Sequence, residues 1–128
     1  MPVDSVELVR EYLLASGRRN NTEANSYLSD DVLLVFPQGR FDNLEQMMAA
    51  LAGRYRSISK THLTWDVSDL DSETSVVVTT GSLSGVNREG VAFSGIRFCD
   101  RFVIRHGLIV EQHVWNDLAE SGVLLQQA

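Results

Sequence analysis

The chain has 128 residues, 44% hydrophobic and 22% charged, the balance of one ordinary globular domain over 1–128 with room for a single core and one small pocket. Eleven Lys and Arg against 17 Asp and Glu leave a net charge of −6 with no basic cluster, which argues against nucleic acid as a partner. One cysteine, Cys99, excludes an intramolecular disulfide and a Cys-based zinc site. There is no secretory signal pattern and no apolar run near the roughly 18 to 20 residues of a membrane span, so a cytoplasmic protein without membrane contact is expected.

Val6, Val9 and Leu13, with Leu8, Tyr12 and Leu14 beside them, predict a helix from Asp4 to about Ser16. Asp4 followed by Glu7 resembles a capping box, and Gly17 is a natural stop. Thr22 to Leu28 follows as a short helix, Ser29-Asp30-Asp31 as a turn, and Val32 to Phe36 as an apolar strand ended by Pro37-Gln38-Gly39. Asn43 and Gln46 open a third helix, whose Leu44, Met47, Met48, Leu51 and Tyr55 keep helical spacing to about Arg56.

The period then changes to two. His62 to Asp69, Thr74 to Ser84, Val91 to Arg105 and Leu108 to Trp115 read as strands. Gly81 and Gly85 read as turn or strand glycines without a binding motif. Arg105-His106-Gly107 is short enough to force a tight hairpin. Helices first and hairpin-linked strands after predict an α+β fold with an antiparallel sheet.

Alternation along the long strand puts Ser94, Ile96, Phe98, Asp100, Phe102 and Ile104 on the covered face, opposite Phe93, Cys99, Arg97 and Arg101. Asp100 among Phe side chains is either a carboxyl held neutral by desolvation, an ion-paired group, or a residue solvated through a slip at a bulge. On the last strand Ile109, Glu111, His113 and Trp115 share one face. If that face joins the Asp100 face, Asp100, Glu111 and His113 converge as an acid/base group. Tyr12 on the first helix is either an oxyanion donor or a packed phenol. His62, Glu111 and His113 could form a two-His, one-carboxylate set, but their spacing is not diagnostic, and neither metal nor cofactor is expected.

The order helix, short helix, Ser29-Asp30-Asp31-Val32, helix, then strands through Arg105-His106-Gly107-Leu108-Ile109-Val110 to Trp115-Asn116-Asp117-Leu118 resembles the nuclear-transport-factor-2-like (cystatin-like, SnoaL-like) superfamily. The resemblance implies a curved antiparallel sheet wrapped around the N-terminal helices as a cone with an internal pocket, and a homodimer through the outer sheet face. It is specific for fold and not for activity, because the same cone serves isomerases, cyclases, dehydratases, hydrolases and non-catalytic proteins. Ketosteroid isomerase, in that superfamily, is similar at Tyr12 and Asp100, its oxyanion-hole positions, and at Trp115, a pocket aromatic. Its base position holds Phe36 here, which argues against steroid isomerisation. Limonene epoxide hydrolase is less similar, because Phe98 stands where its Arg would be. SnoaL-like polyketide cyclases and scytalone dehydratase remain compatible.

The resulting expectation is a cofactor-independent enzyme that moves protons on a small apolar or cyclic molecule. His113 is its base, Asp100 its acid or orienter and Tyr12 its oxyanion donor, with Phe36, His62, Phe98, Phe102, Glu111 and Trp115 lining the pocket. The alternatives are a non-catalytic ligand-binding or structural dimer and a subunit of a larger oxygenase.

Overall fold

A computed structural model describes residues 4–124. Helix α1 spans Ser5–Gly17, capped by Asp4, whose carboxylate accepts from the amides of Val6 and Glu7 at 3.0 and 3.2 Å. Its apolar side, Leu8, Val9, Tyr12 and Ala15, is buried. Helix α2 is Asn21–Ser26, capped by Asn20, and α3 is Leu44–Leu51, capped by Asn43, which accepts from the Gln46 amide at 2.8 Å. A last single turn, α4, covers Leu118–Ser121.

Six strands make one sheet: β1 (Leu28–Phe36), β2 (Gly39–Phe41), β3 (Tyr55–Asp69), β4 (Thr74–Asn87), β5 (Ala92–Arg105) and β6 (Leu108–Asn116), in the order β2-β1-β6-β5-β4-β3. Every pairing is antiparallel except β1 with β6, which is parallel, so the sheet is mixed where sequence predicts a purely antiparallel one. The architecture is the α+β curved sheet with N-terminal helices against one face. The hairpin between β5 and β6 turns on His106 (φ 52°) and Gly107 (φ 76°), the two positive values a type I′ turn requires.

Predicted and observed elements differ in several places, and three of them shape the sheet. Ala52 leaves the helical conformation and Gly53 after it takes the left-handed region at φ 79°, so the helix stops at Leu51 and Tyr55 begins β3 instead of ending the helix. Ser29-Asp30-Asp31 lies within β1, across an irregular stretch of its pairing with β6. Around Gly95 (φ 71°) β5 bulges, which brings Phe93 to the same buried side as Ile96 and leaves Ser94 exposed.

The main core lies between the helices and the inner sheet face, with Val9, Tyr12, Leu34, Leu44, Phe102 and Ile109 fully enclosed. A smaller cluster of Leu83, Phe93, Ile96, Phe98 and Leu118 continues it toward the other end of the sheet. The centre of the cone is therefore filled, with Tyr12 packed edge-on against Phe102 at 6.1 Å between ring centroids. No described helix is long and apolar enough to cross a membrane.

Candidate functional site

One extra residue decides which side chains meet. The turn pairs Arg105 with Leu108 and Ile104 with Ile109, a register that, continued, would set Asp100 opposite His113. Val103 pairs instead with Glu111, so Val110 is a bulge, and from there Asp100 pairs with Val114, Phe102 with Gln112, Arg101 with His113 and Cys99 with Trp115. Every side chain of β6 beyond the bulge changes face. Gln112 and Val114 turn inward, while Glu111, His113 and Trp115 stand on the outer face. The expected convergence of Asp100 with Glu111, His113 and Trp115 is thus corrected: they lie on opposite sides of the sheet.

The inner face carries a different polar group. Asp100 is fully buried on β5, and its Oδ2 receives the Lys60 ammonium of β3 at 2.5 Å. It is not an isolated carboxyl among Phe rings but half of an ion pair, while its Oδ1 has no hydrogen-bond partner among the described residues. The Lys60 side chain is 27% exposed, and its ammonium sits 4.9 Å from the Phe98 ring centroid. Two residues on, His62 Nδ1 bonds the buried Thr79 hydroxyl at 2.7 Å, and the imidazole stacks on Trp65 (4.7 Å) and meets Phe98 edge-on (5.3 Å). Arg10 of α1 covers the other ring of this group, 5.0 Å from the Trp65 centroid. Deeper, the Tyr12 hydroxyl donates to Gln112 Oε1 at 2.8 Å.

These surroundings set the protonation of two groups. Burial, then the Lys60 charge, lowers the His62 pKa below its ordinary value, against an opposing pull from Asp100. At neutral pH the imidazole is therefore uncharged. If Nδ1–H donates to Thr79, Nε2 carries a lone pair and can accept a proton. Burial pushes the Tyr12 phenol upward, which keeps it a neutral hydrogen-bond donor.

Of the predicted site residues, Tyr12, Phe98, Asp100 and Phe102 are buried on the inner face and His62 is half-buried beside them; Phe36 packs on Phe41 at 6.1 Å at the margin of the same core. On the outer face His113 Nε2 bonds Glu111 Oε1 at 2.8 Å, and its ring lies 5.9 Å from that of Trp115, which is 54% exposed. A hollow of about 740 Å³ at this end of the sheet is lined by Leu63, Cys99, His113 and Trp115 and also by Phe36, Phe98 and Val114. Sequence reasoning missed Lys60, Thr79, Trp65 and Gln112. The available signal was the alternation Ile58-Lys60-His62, hidden because the strand was read as opening only at His62, with nothing assigned between it and a helix running to about Arg56. Among the described residues no group of His, Cys, Asp and Glu is arranged to hold a metal ion.

A model of the SnoaL-like domain matches residues 9–112. The chain belongs to the SnoaL-like family. This SnoaL-like domain shares its fold with an NTF2-like protein of unknown function from Burkholderia pseudomallei K96243 (TM-score 0.80, 17% identity, 98% of this chain and 100% of that one). It superposes on TerC co-crystallized with polyporic acid (TM-score 0.78, 14% identity, 94% and 98% covered). It also matches a putative polyketide cyclase from Pseudomonas putida KT2440 (TM-score 0.67, 18% identity, 99% and 100% covered). At these identities the SnoaL-like domain and its neighbours share a fold. No curated protein matches the sequence.

Proposed function

We propose that this SnoaL-like protein is a cofactor-independent acid/base enzyme acting on a small apolar or cyclic molecule at the inner-face cluster. The observation that carries the proposal is the Asp100 carboxylate, fully buried with one oxygen on Lys60 and the other unpartnered, beside an imidazole kept neutral. His62 Nε2 takes the proton, the Lys60 ammonium stabilises the negative charge that develops on the substrate oxygen, and Asp100 positions that ammonium. Tyr12 is reserved for Gln112 and supports the floor. A fold neighbour co-crystallized with polyporic acid supports a small-molecule ligand. The likeness to a putative polyketide cyclase supports chemistry of the cyclase, isomerase or dehydratase kind.

The test is proton exchange, which needs no knowledge of the physiological product. A panel of cyclic ketones incubated with the protein in D₂O is expected to gain deuterium at the carbon next to the carbonyl, read by mass spectrometry. His62→Gln and Asp100→Asn are each expected to lower the rate by about 10² or more. Because the base must be neutral and its pKa is lowered, the rate should hold constant from neutral pH down through the ordinary histidine value near 6.5 and fall only below it. A wild-type rate equal to buffer across the panel would refute the enzymatic reading. It would leave the non-catalytic ligand-binding dimer, which the internally paired Tyr12–Gln112 and His62–Thr79 contacts favour.

The outer face is proposed as the contact between two copies of the chain, with the free Cys99 fitting a cytoplasmic setting. Trp115 at 54% and Leu63 at 72% exposure flank the apolar hollow, an arrangement a second copy would cover. Sedimentation should show a dimer for the wild type and a monomer for Trp115→Glu; a monomeric wild type would overturn the assignment.

A further inference from the structure

Strand β5 turns three arginines to the outer face, and two of them are held. Arg97 donates to the Asp117 carboxylate at 2.6 Å and Arg105 to the Thr74 hydroxyl at 3.1 Å. The third, Arg101, is half-buried between Val78 of β4 and His113 of β6, and its side chain makes no ion pair or hydrogen bond among the described residues. Its opposite stands one row along the same face. Glu111 pairs with Val103, gives Oε1 to the His113 ring at 2.8 Å and keeps Oε2 without a partner among the described residues, on a side chain that is 40% exposed. Arg101 and Glu111 are therefore diagonal neighbours, about 7 to 8 Å apart, on the two central strands of the six. No bond joins them within the chain.

We infer that the two copies of the outer-face dimer are held in register by two reciprocal ion pairs, Arg101 of each copy meeting the partner's Glu111. The inference rests on the proposal that the outer face joins two copies, and it names the charges that set their alignment. In an isologous contact each pairing is returned by symmetry, so one cation–anion contact is made twice. A two-fold axis crossing the Arg101–Glu111 diagonal at its midpoint lays each charge over its opposite. That midpoint falls between β5 and β6, so the two halves of the sheet cover one another. Asp66, the other acid in the Arg101 row, lies on the edge strand β3; an axis between it and Arg101 would run over β4 and leave β1 and β2 uncovered. Charge asks for the same pairing. Two chains of net charge −6 repel, and apolar surface laid over a half-buried guanidinium would strand its charge. The guanidinium can take the free Oε2 of the partner's Glu111 while His113 keeps Oε1.

The test is a charge swap on the whole protein, read by analytical ultracentrifugation. Arg101→Glu and Glu111→Arg each put like charges at both contacts and are expected to weaken the dimer by about 100-fold or more, so that each alone sediments as a monomer where the wild type is a dimer. Mixed in equal amounts, the two variants should form a heterodimer. A chain carrying both substitutions should dimerise by itself, and either rescue also shows that the substituted chains fold. If the wild type is a dimer and Trp115→Glu a monomer while both single charge variants dimerise as the wild type does, the ion pairs fall and the outer-face contact stands. If the single variants are monomers and neither mixing nor the double substitution restores the dimer, the ion pairs fall in the same way. A monomeric wild type, or Trp115→Glu and Arg101→Glu both remaining dimers, overturns the outer-face contact and its ion pairs together.

Discussion

Lys60→Met is expected to destabilise the fold by about 3 kcal/mol, and Lys60→Met combined with Asp100→Leu to recover most of that loss. The two results distinguish an ion pair that stabilises from one that is merely costly to break. Asp100 lies fully enclosed between Phe98, Phe102 and Thr79, so removing the ammonium leaves a buried charge without its counter-ion. The figure sits at the low end for broken buried pairs because the Lys60 side chain is 27% exposed, and water can follow into the space it vacates. Removing the carboxylate as well abolishes the stranded charge. Urea unfolding of the wild type, the single variant and the double variant reads all three values on one scale. A double variant as unstable as Lys60→Met would mean that the lysine stem, not its charge, holds this part of β3 in place.

The inner-face cluster also shows what the sequence could and could not disclose. Period-two alternation placed Phe98, Asp100 and Phe102 on the covered face of β5 correctly, because their faces depend only on spacing within one unbroken stretch of strand. The relation between β5 and β6 depends on a second quantity, the register across the pair, and a single unpaired residue changes it. Nothing in Leu108-Ile109-Val110-Glu111 marks Val110 as a bulge: it is β-branched and carries no glycine, unlike the bulge at Gly95. The helix caps at Asp4 and Asn43 and the His106-Gly107 turn were readable because each rests on a few adjacent residues. Lys60 was not, since the strand was read as opening at His62, and the Met47-Met48-Leu51-Tyr55 spacing carries a helical pattern across the residues where β3 begins. The family resemblance pointed to Tyr12 and Asp100 as interior positions, and both are interior; it carried no information on Lys60.

Gly81→Ala, one methyl group midway along β4, is expected to be among the most damaging small substitutions in the chain. A Cβ on Gly81 would lie 1.9 Å from the Thr61 carbonyl oxygen, 2.9 Å from its carbon and 3.0 Å from Phe98 Cε2. The first two are backbone atoms with no rotamer to yield, so relief requires β3 to lift away from β4 along a ladder that pairs His62 with Gly81. The close approach arises where β3 itself bulges: the pairing shifts between His62 and Thr64, expelling Leu63 to 72% exposure and curling the strand over the inner face. Glycine at 81 is thus what lets Lys60 and His62 arrive over Asp100 and Phe98. Overpacking of this kind costs about 3 kcal/mol or more when the obstacle is backbone. Gly17→Ala, with no atom within 4 Å of the added carbon, should change stability by no more than about 0.5 kcal/mol. Chemical denaturation of the two variants side by side makes the comparison, and amide spectra of Gly81→Ala should show the largest shifts along β3 between Thr61 and Trp65. Equal stability of the two variants would show that β3 does not need this approach, and that Lys60 and His62 reach the inner face by some other bend of the strand.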